Sequence, residues 1–148
     1  MAVLDETPEC ERAVRYAAMR AQHSNGGLVL LHVVEPADFQ HWLGVEEIMK
    51  AEAMEEAETR LAKAAEKVRE EIGIDAETVA REGATRDVIN SVIEEDKDIA
   101  ILVLAAGSTK EGPGPLVSSI AARGSIAFPI PVTVIPSDLS DEDIDALS

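Results

Sequence analysis

The chain has 148 residues, 46% of them hydrophobic, which suits one domain with a proper core. Twenty-nine acidic residues against 13 basic ones give a formal net charge of −16, which argues against nucleic-acid binding and against anionic membrane surfaces. No apolar run approaches the roughly 20 residues of a membrane helix, and no signal peptide is visible. The single cysteine, Cys10, excludes an internal disulfide and a cysteine-based zinc cluster. We therefore expect a cytoplasmic protein without nucleic-acid or membrane partners.

The first elements along the chain are predicted to be a strand, a helix and a second strand. Ala2-Val3-Leu4 is an apolar run that ends at Asp5. Because this run begins abruptly, we expect further residues of the strand to precede it. Thr7-Pro8-Glu9 has the capping hydroxyl, the proline and the acid of a helix start, and predicts a helix to about His23. Leu28–Val34 is a continuous apolar run, which is typical of a strand covered on both faces.

The middle of the chain predicts a long helix, a strand and a shorter helix. Residues 37–44 are expected to form a loop, and apolar residues recur at helical spacing over residues 45–72. The alternation over Ala76–Glu82 is typical of a half-exposed strand. Thr85 is expected to cap a helix that ends at Glu95.

The last third of the chain predicts a buried strand, a helix and a short final strand. Residues 99–106 form the most apolar of the predicted strands, and a helix is expected from Leu116 to about Phe128. Residues 131–136 are a short strand bracketed by prolines. Ser140-Asp141-Glu142-Asp143 predicts either a capping box that opens one helical turn or an acidic flexible end.

The alternation of strands and helices predicts a three-layer α/β/α fold with a parallel sheet and right-handed crossovers. In such sheets the first and fourth strands are neighbours at a switch point, where ligands bind. Asp5 and Gly107 follow these two strands, and a Gly/Pro-rich loop after Gly107 leads to a helix that starts near Pro115. The sequence therefore predicts a pocket between Asp5 and this loop.

Several known chemistries for that pocket are excluded by the residues present. The first strand is followed by Asp5-Glu6-Thr7-Pro8, which lacks the glycine loop of dinucleotide-binding proteins and the phosphate loop of flavodoxins. A phospho-receiver domain needs an Asp after the third strand and a Lys after the fifth, and neither is there. None of the three histidines has an evident nucleophile and orienting acid. We therefore predict no catalytic residue and no metal ligand.

Five segments in order resemble the universal stress protein family over nearly the whole chain. Each segment alone is weak, but their common order and spacing are specific to that family. The segments are Val3-Leu4-Asp5-Glu6-Thr7-Pro8-Glu9, Leu30-Leu31-His32-Val33-Val34-Glu35-Pro36, Arg81-Glu82-Gly83, Ile101-Leu102-Val103-Leu104 before Gly107-Ser108, and Pro131-Val132-Thr133-Val134-Ile135-Pro136. The resemblance implies a Rossmann-like, adenine nucleotide alpha hydrolase-like domain over residues 1–136, with a five-stranded, mainly parallel sheet of order 3-2-1-4-5. Residues 137–148 are then an acidic C-terminal tail.

The resemblance also implies an adenine-nucleotide site and a homodimer. In nucleotide-binding members the residue that matches Asp5 contacts the adenosine part, and the residue that matches Val33 lies beside the adenine. The glycine loop and the next helix N-terminus hold the phosphates. By the same resemblance, the last strands pair to form the dimer, here through Val132 and Val134.

The phosphate loop departs from the family pattern Gly-x2-Gly-x9-Gly-Ser/Thr. Lys110 stands where the second glycine is expected, and the loop is about two residues shorter. Pro113 and Pro115 remove two backbone N–H donors, although Lys110 could restore one positive contact. The residues expected at the phosphates are Gly107, Lys110, Gly112, Gly114, Ser118 and Ser119.

Three functions follow from these observations as hypotheses. The leading one is a stress-response module that binds ATP or another adenine nucleotide, with or without Mg²⁺, as a regulatory signal. The second is a stress protein that does not bind ATP and acts through dimerisation and protein partners, because the glycine motif is altered. The third is a slow ATPase or nucleotide hydrolase, for which Ser118 or Ser119 would be needed.

Overall fold

The computed structural model describes residues 1–36, 46–108, 112–123 and 128–148, in which strands and helices alternate. The predicted loop over residues 37–44 lies outside these ranges. The strands are β1 (Ala2–Val3), β2 (Leu28–Val34), β3 (Ala76–Glu82), β4 (Leu102–Ala105) and β5 (Val132–Ile135). The helices are α1 (Cys10–His23), α2 (Glu46–Ile72), α3 (Thr85–Glu95), α4 (Pro115–Arg123) and α5 (Asp141–Leu147). In the described ranges, no helix combines the length and the apolarity needed to cross a bilayer.

The strands form one parallel sheet in the order β3-β2-β1-β4-β5, as predicted. Ala2 of β1 lies between Leu30 of β2 and Val103 of β4. The chain therefore moves to one side of β1 for β2 and β3, and to the other side for β4 and β5. This reversal makes β1 and β4 the switch point of the sheet, where their C-terminal ends diverge into separate loops.

Each face of the sheet buries its own apolar core. Leu30 and Leu31 are adjacent in β2 and fully buried, yet they belong to different cores because successive strand residues point to opposite faces. Helices α1 and α2 cover the first face, and helices α3 and α4 cover the second. The continuous apolar run of β2 reflects this burial on both sides.

Two predicted helix starts are corrected by the structure. Helix α1 begins at Cys10, with Glu9 as its N-cap and no side-chain cap, and not at Thr7. The Thr7 hydroxyl instead donates a hydrogen bond to Asp5. The N-cap of α3 is Ala84, and Thr85 is the first helical residue, whose hydroxyl donates to Glu35. Both hydroxyls are used by carboxylates, so neither is left for its helix.

Other element bounds differ from the predicted ones by a few residues. Strand β4 begins at Leu102 and ends at Ala105, within the predicted 99–106. Helix α4 begins at Pro115 and ends at Arg123, before the predicted end near Phe128. Residues 124–127 lie outside the described ranges, and Phe128 beyond them is buried in the second core.

The acidic C-terminal residues form helix α5, which packs against α1. The Ser140 hydroxyl accepts a hydrogen bond from Asp143 N at 3.1 Å and donates to Asp143 Oδ2 at 2.9 Å, so the helical alternative is the one found, with Ser140 as the N-cap. Ile144 is fully buried. Arg15 of α1 donates to both carboxylate oxygens of Asp145, at 2.8 and 2.7 Å. The helix extends for seven residues, beyond the single predicted turn.

Candidate ligand-binding site

A cavity of about 720 Å³ opens at the C-terminal ends of the strands, where the switch point lies. Its wall includes Asp5 after β1, Val33 near the end of β2, and Gly107 after β4. Helix α2 contributes Ala57 and Arg60 from one side. A cavity of this volume lies within the usual range for small-molecule sites, roughly 300–1,000 Å³.

The Asp5 carboxylate is held by the loop that follows it. Its Oδ1 atom accepts hydrogen bonds from Thr7 N at 2.8 Å and from the Thr7 hydroxyl at 2.5 Å. These bonds form an Asx-type turn that fixes the orientation of the carboxylate. Among the described residues Oδ2 has no donor, which leaves it as an acceptor for a ligand hydroxyl or amino group.

Two contacts at the end of β2 shape the wall beside Val33. Glu35 accepts a hydrogen bond from the Thr85 hydroxyl, and this contact ties the end of β2 to the first turn of α3. Gly83 turns the chain there with a φ of +146°, and its N–H donates to Val34 O at 3.0 Å. A Cβ on Gly83 would lie 2.8 Å from a methyl of Val88, so the turn requires glycine.

His32 lines the cavity with a side chain that is only 8% exposed. Its Nδ1 atom is buried and has no hydrogen-bond partner among the described residues. Burial lowers the pKa of His32, and the positive charge of Arg60 lowers it further. The imidazole is therefore neutral at pH 7, because the charged form is poorly solvated there.

The loop after β4 closes the other end of the cavity and uses its own donors. Gly107 N donates to Pro113 O at 3.0 Å, which folds the loop back onto itself. Gly112 and Gly114 have φ values of +104° and +95°, a conformation that favours glycine. The Ser119 hydroxyl donates to Leu116 O at 2.8 Å, inside its own helix.

A buried carboxylate lies beside this loop. Glu9 is 7% exposed, and its carboxylate accepts a hydrogen bond from the Ser108 hydroxyl. This bond lowers the pKa of the Glu9 carboxyl, and the backbone N–H groups of Glu9 and Ser108 lower it further. Hydrogen bonds favour the ionised form, so Glu9 is an anion at pH 7. The negative charge of Glu9 therefore lies beside Ser108, the residue that directly follows Gly107.

The charged residues of the wall are mostly acidic. Among the described lining residues, four are carboxylates and two are guanidinium groups: Asp5, Glu6, Glu35, Glu56, Arg60 and Arg86. Arg60 donates to Glu56 at 2.9 Å and lies 3.7 Å from Glu6, so its charge is partly compensated within the wall. The cavity therefore has a net negative lining, which is unusual for a site that receives phosphates.

The described residues include neither a reactive thiol nor a cluster of metal-ligating side chains. Burial raises the pKa of the Cys10 thiol to about 11, so the thiolate is not formed at neutral pH. In the parts of the chain that the structure describes, no group of three or more His, Cys, Asp or Glu side chains could hold a metal.

The structure brings most of the predicted site residues together. The wall includes Asp5, Val33, Gly107, Gly114 and Ser119. Gly112 and Ser118 are not among the described lining residues, and Ser118 is exposed. Lys110 lies outside the described residues.

Sequence reasoning missed several residues of the site. It did not identify His32, Arg60 or the contacts Glu9–Ser108 and Glu35–Thr85. These contacts join residues that are 99 and 50 positions apart, so no local pattern points to them.

Comparisons with known proteins agree with this fold. The sequence model of the universal stress protein family matches residues 1–136. No curated protein matches the chain significantly.

Three solved structures illustrate the likeness. The universal stress protein UspA from Lactobacillus plantarum superposes with a TM-score of 0.72 at 20% identity, over 91% of this chain and 97% of that one. A universal stress protein from Archaeoglobus fulgidus gives a TM-score of 0.64 at 20% identity, over 90% of each chain. A universal stress protein in complex with cAMP gives 0.63 at 21% identity, over 93% of this chain and 96% of that one. At these identities the structural likeness shows the fold alone. The match over residues 1–136 shows that the chain belongs to the universal stress protein family.

Proposed function

We propose that this protein is a cytoplasmic, homodimeric regulatory module of the stress response that binds an adenine nucleotide in the cavity at the switch point. The observation that carries the proposal is the convergence of Asp5, Val33 and Gly107. They come from three separate strand ends, and all of them line one cavity of about 720 Å³. A solved member of the family is described as a complex with cAMP, an adenine nucleotide, which supports this ligand class.

Each end of the cavity has a role in the proposed binding. Asp5 accepts from the ribose hydroxyls or the base through Oδ2, because Oδ1 is already occupied by Thr7. Val33 packs against the base, and the neutral His32 lies in the wall beside it. The first turn of α4 and Gly107 face the phosphate, where free N–H groups of a helix N-terminus favour an anion. Binding and release, and not turnover, carry the signal, because the described wall lacks an activated nucleophile and a positioned base.

The proposal predicts that Asp5→Asn abolishes the stabilisation of the protein by adenine nucleotides. Asn retains an oxygen that can accept from Thr7, so the loop keeps its turn while the negative charge is lost. The measurement is the melting temperature with and without millimolar AMP, cAMP or ATP in the presence of magnesium. The wild-type protein should melt at a higher temperature with at least one of them, and the variant should show no shift.

The matched control is Asp98→Asn, which removes the same charge. Asp98 precedes β4, so it lies at the N-terminal ends of the strands, away from the cavity. Its nucleotide response should equal that of the wild type. An unmutated protein that gains no stability from any adenine nucleotide contradicts the proposal. The ligand itself is identified by mass spectrometry of the small molecules that the purified protein releases on denaturation.

A second candidate function, a partner-binding dimer that takes no nucleotide, is favoured by one observation. The loop after β4 uses its Gly107 and Ser119 donors internally, and two of its residues are prolines. A nucleotide that copurifies in stoichiometric amount would contradict this candidate directly.

A further inference from the structure

We infer that the cavity takes adenosine or an adenosine monophosphate in preference to ATP, and that Glu9 determines this preference. The inference rests on the proposed function, since it concerns which adenine compound that site accepts. It goes beyond the sequence pattern, because it depends on a side chain that the altered glycine motif does not contain.

The first step is the position of the Glu9 carboxylate. Glu9 is the N-cap residue of α1, and its side chain extends to the end of β4, where the Ser108 hydroxyl donates to it. Ser108 directly follows Gly107, which lines the cavity. A phosphate placed against Gly107 would therefore lie next to this carboxylate.

The second step is the use of the donors that a phosphate chain needs. The Glu9 carboxylate accepts a hydrogen bond from the Ser108 hydroxyl, and Pro113 O accepts one from the N–H of Gly107. Pro113 and Pro115 have no N–H, and the Ser119 hydroxyl is bonded within α4. In the described part of the loop, three donors that could bind a second and third phosphate are thus bonded within the protein, which leaves the N–H groups at the start of α4 for a single phosphate.

The third step is charge. The described wall has four carboxylates and two guanidinium groups, and the whole chain has a net charge of −16. Each additional phosphate adds negative charge that this lining repels, and the buried Glu9 anion strengthens the repulsion at the phosphate end. The uncharged nucleoside is not subject to this repulsion. Asp5 offers it a hydrogen-bond acceptor, and Val33 and His32 offer apolar contacts.

The test is a series of affinities for adenosine, AMP, ADP and ATP, measured by isothermal titration calorimetry with magnesium present throughout. For the wild-type protein we expect affinity to fall from AMP to ATP by roughly tenfold, because the additional phosphates are repelled by the negative lining and by Glu9. Glu9→Gln keeps the size of the side chain and its bond to Ser108 but removes the charge. This variant should bind ATP more tightly than the wild type does and so reduce the difference between AMP and ATP, with its adenosine affinity unchanged.

Two further variants make the outcome decisive. Glu9→Ala removes the carboxylate without any replacement and should raise the ATP affinity in the same direction. Glu11→Gln removes an equal charge from an exposed position on the same helix, where it pairs with Lys67 at 3.1 Å. It should retain the wild-type ratio of AMP to ATP affinity.

The possible failures are separable. If wild-type protein binds adenosine or AMP but binds ATP equally well or better, the inference is overturned and the proposed function stands. If the AMP-to-ATP ratio of Glu9→Gln equals that of the wild type, Glu9 has no part in selection. If neither the wild type nor Glu9→Gln binds any of the four compounds, the proposed function itself is wrong.

Discussion

The imidazole of His32 is a titratable group in the wall of the cavity, and folding buries it away from water. It lies in β2, between Leu31 and Val33, so it cannot move towards solvent without disrupting the strand. Burial lowers its pKa chiefly, Arg60 lowers it further, and the carboxylates of Glu6 and Asp5 raise it in part. The balance favours the neutral ring in the folded state.

This balance predicts how stability depends on pH. The unfolded chain binds a proton at His32 near the usual pKa of about 6.5, whereas the folded chain binds it only at a lower pH. The unfolded state therefore holds more protons as the pH falls below about 6.5, and the free energy of unfolding decreases there. In His32→Gln, denaturant titrations between roughly pH 7 and pH 5 should show a smaller decrease than in the wild type.

His23→Gln is the control, because this histidine is exposed at the end of α1. Its stability should fall with pH as steeply as that of the wild type. Equal slopes for His32→Gln and the wild type would show that the buried imidazole does not contribute.

Among the predicted residues that line the cavity, Asp5 and Gly107 followed from the ends of strands, whereas Val33, Gly114 and Ser119 followed from the family resemblance. Asp5 and Gly107 follow apolar runs, so the topology alone brings them to one cavity. Glu9 was predicted only as an acid in the first turn of a helix, and its contact with Ser108 depends on the path of a loop 99 positions away. A side chain that reaches between two loops leaves no periodic signal in the sequence.

Elements with a clear period were predicted to the residue, whereas those that begin at a side-chain contact were not. The bounds of β2 and β3 and the end of α3 at Glu95 match the predicted ones, because continuous or periodic apolar residues extend up to these bounds. The prediction of Thr7 as the capping residue of α1 was wrong, since the helix begins at Cys10 and the Thr7 hydroxyl donates to Asp5. The Asp5 carboxylate, two residues before Thr7, competes with the helix N–H groups for this hydroxyl.

Helix α5 buries the side chain of Ile144 completely, so we expect this residue to anchor the helix to the domain. Ile144→Ala removes a fully buried side chain and is expected to cost about 2–5 kcal/mol of the free energy of unfolding, as for other large-to-small core changes. The measurement is equilibrium unfolding in urea. A cost of that size means that α5 unfolds together with the sheet.

Leu147→Ala is the control on the same helix, because Leu147 is 64% exposed. Its effect should stay within about 0.5 kcal/mol. If Ile144→Ala also stays within that limit, residues 137–148 are a separable tail whose docking adds nothing to the stability of the domain.

At the scale of the whole molecule, β5 is an edge strand of the sheet formed by residues 1–36, 46–108, 112–123 and 128–148, and its outer side is available for pairing among them. Leu102 N donates to Pro131 O and Ala106 N donates to Ile135 O, both at 2.9 Å. Because the hydrogen-bonding direction alternates along a strand, the N–H and C=O groups of Val132 and Val134 face away from β4. An unpaired edge of this kind is a template for the same strand of a second copy.

The proposed dimer therefore predicts that Val134→Pro gives a monomer. Proline removes the outward N–H of Val134 but no bond to β4, so the sheet itself should persist. Sedimentation velocity should show a dimer for the wild type and a monomer for the variant. Since each copy has a net charge of −16, the wild-type dimer should also tighten as salt screens the repulsion between the two copies.

Thr78→Pro provides the matched control at the opposite edge. Gly83 N donates to Val34 O, so by the same alternation the N–H of Thr78 faces away from β2. This variant has the same kind of change in an edge strand and should remain dimeric. A dimeric Val134→Pro or a monomeric Thr78→Pro would contradict pairing through β5, and the second result would indicate that β3 forms the interface. The comparison separates the two edges because proline removes one outward donor from each and leaves the internal ladder unchanged.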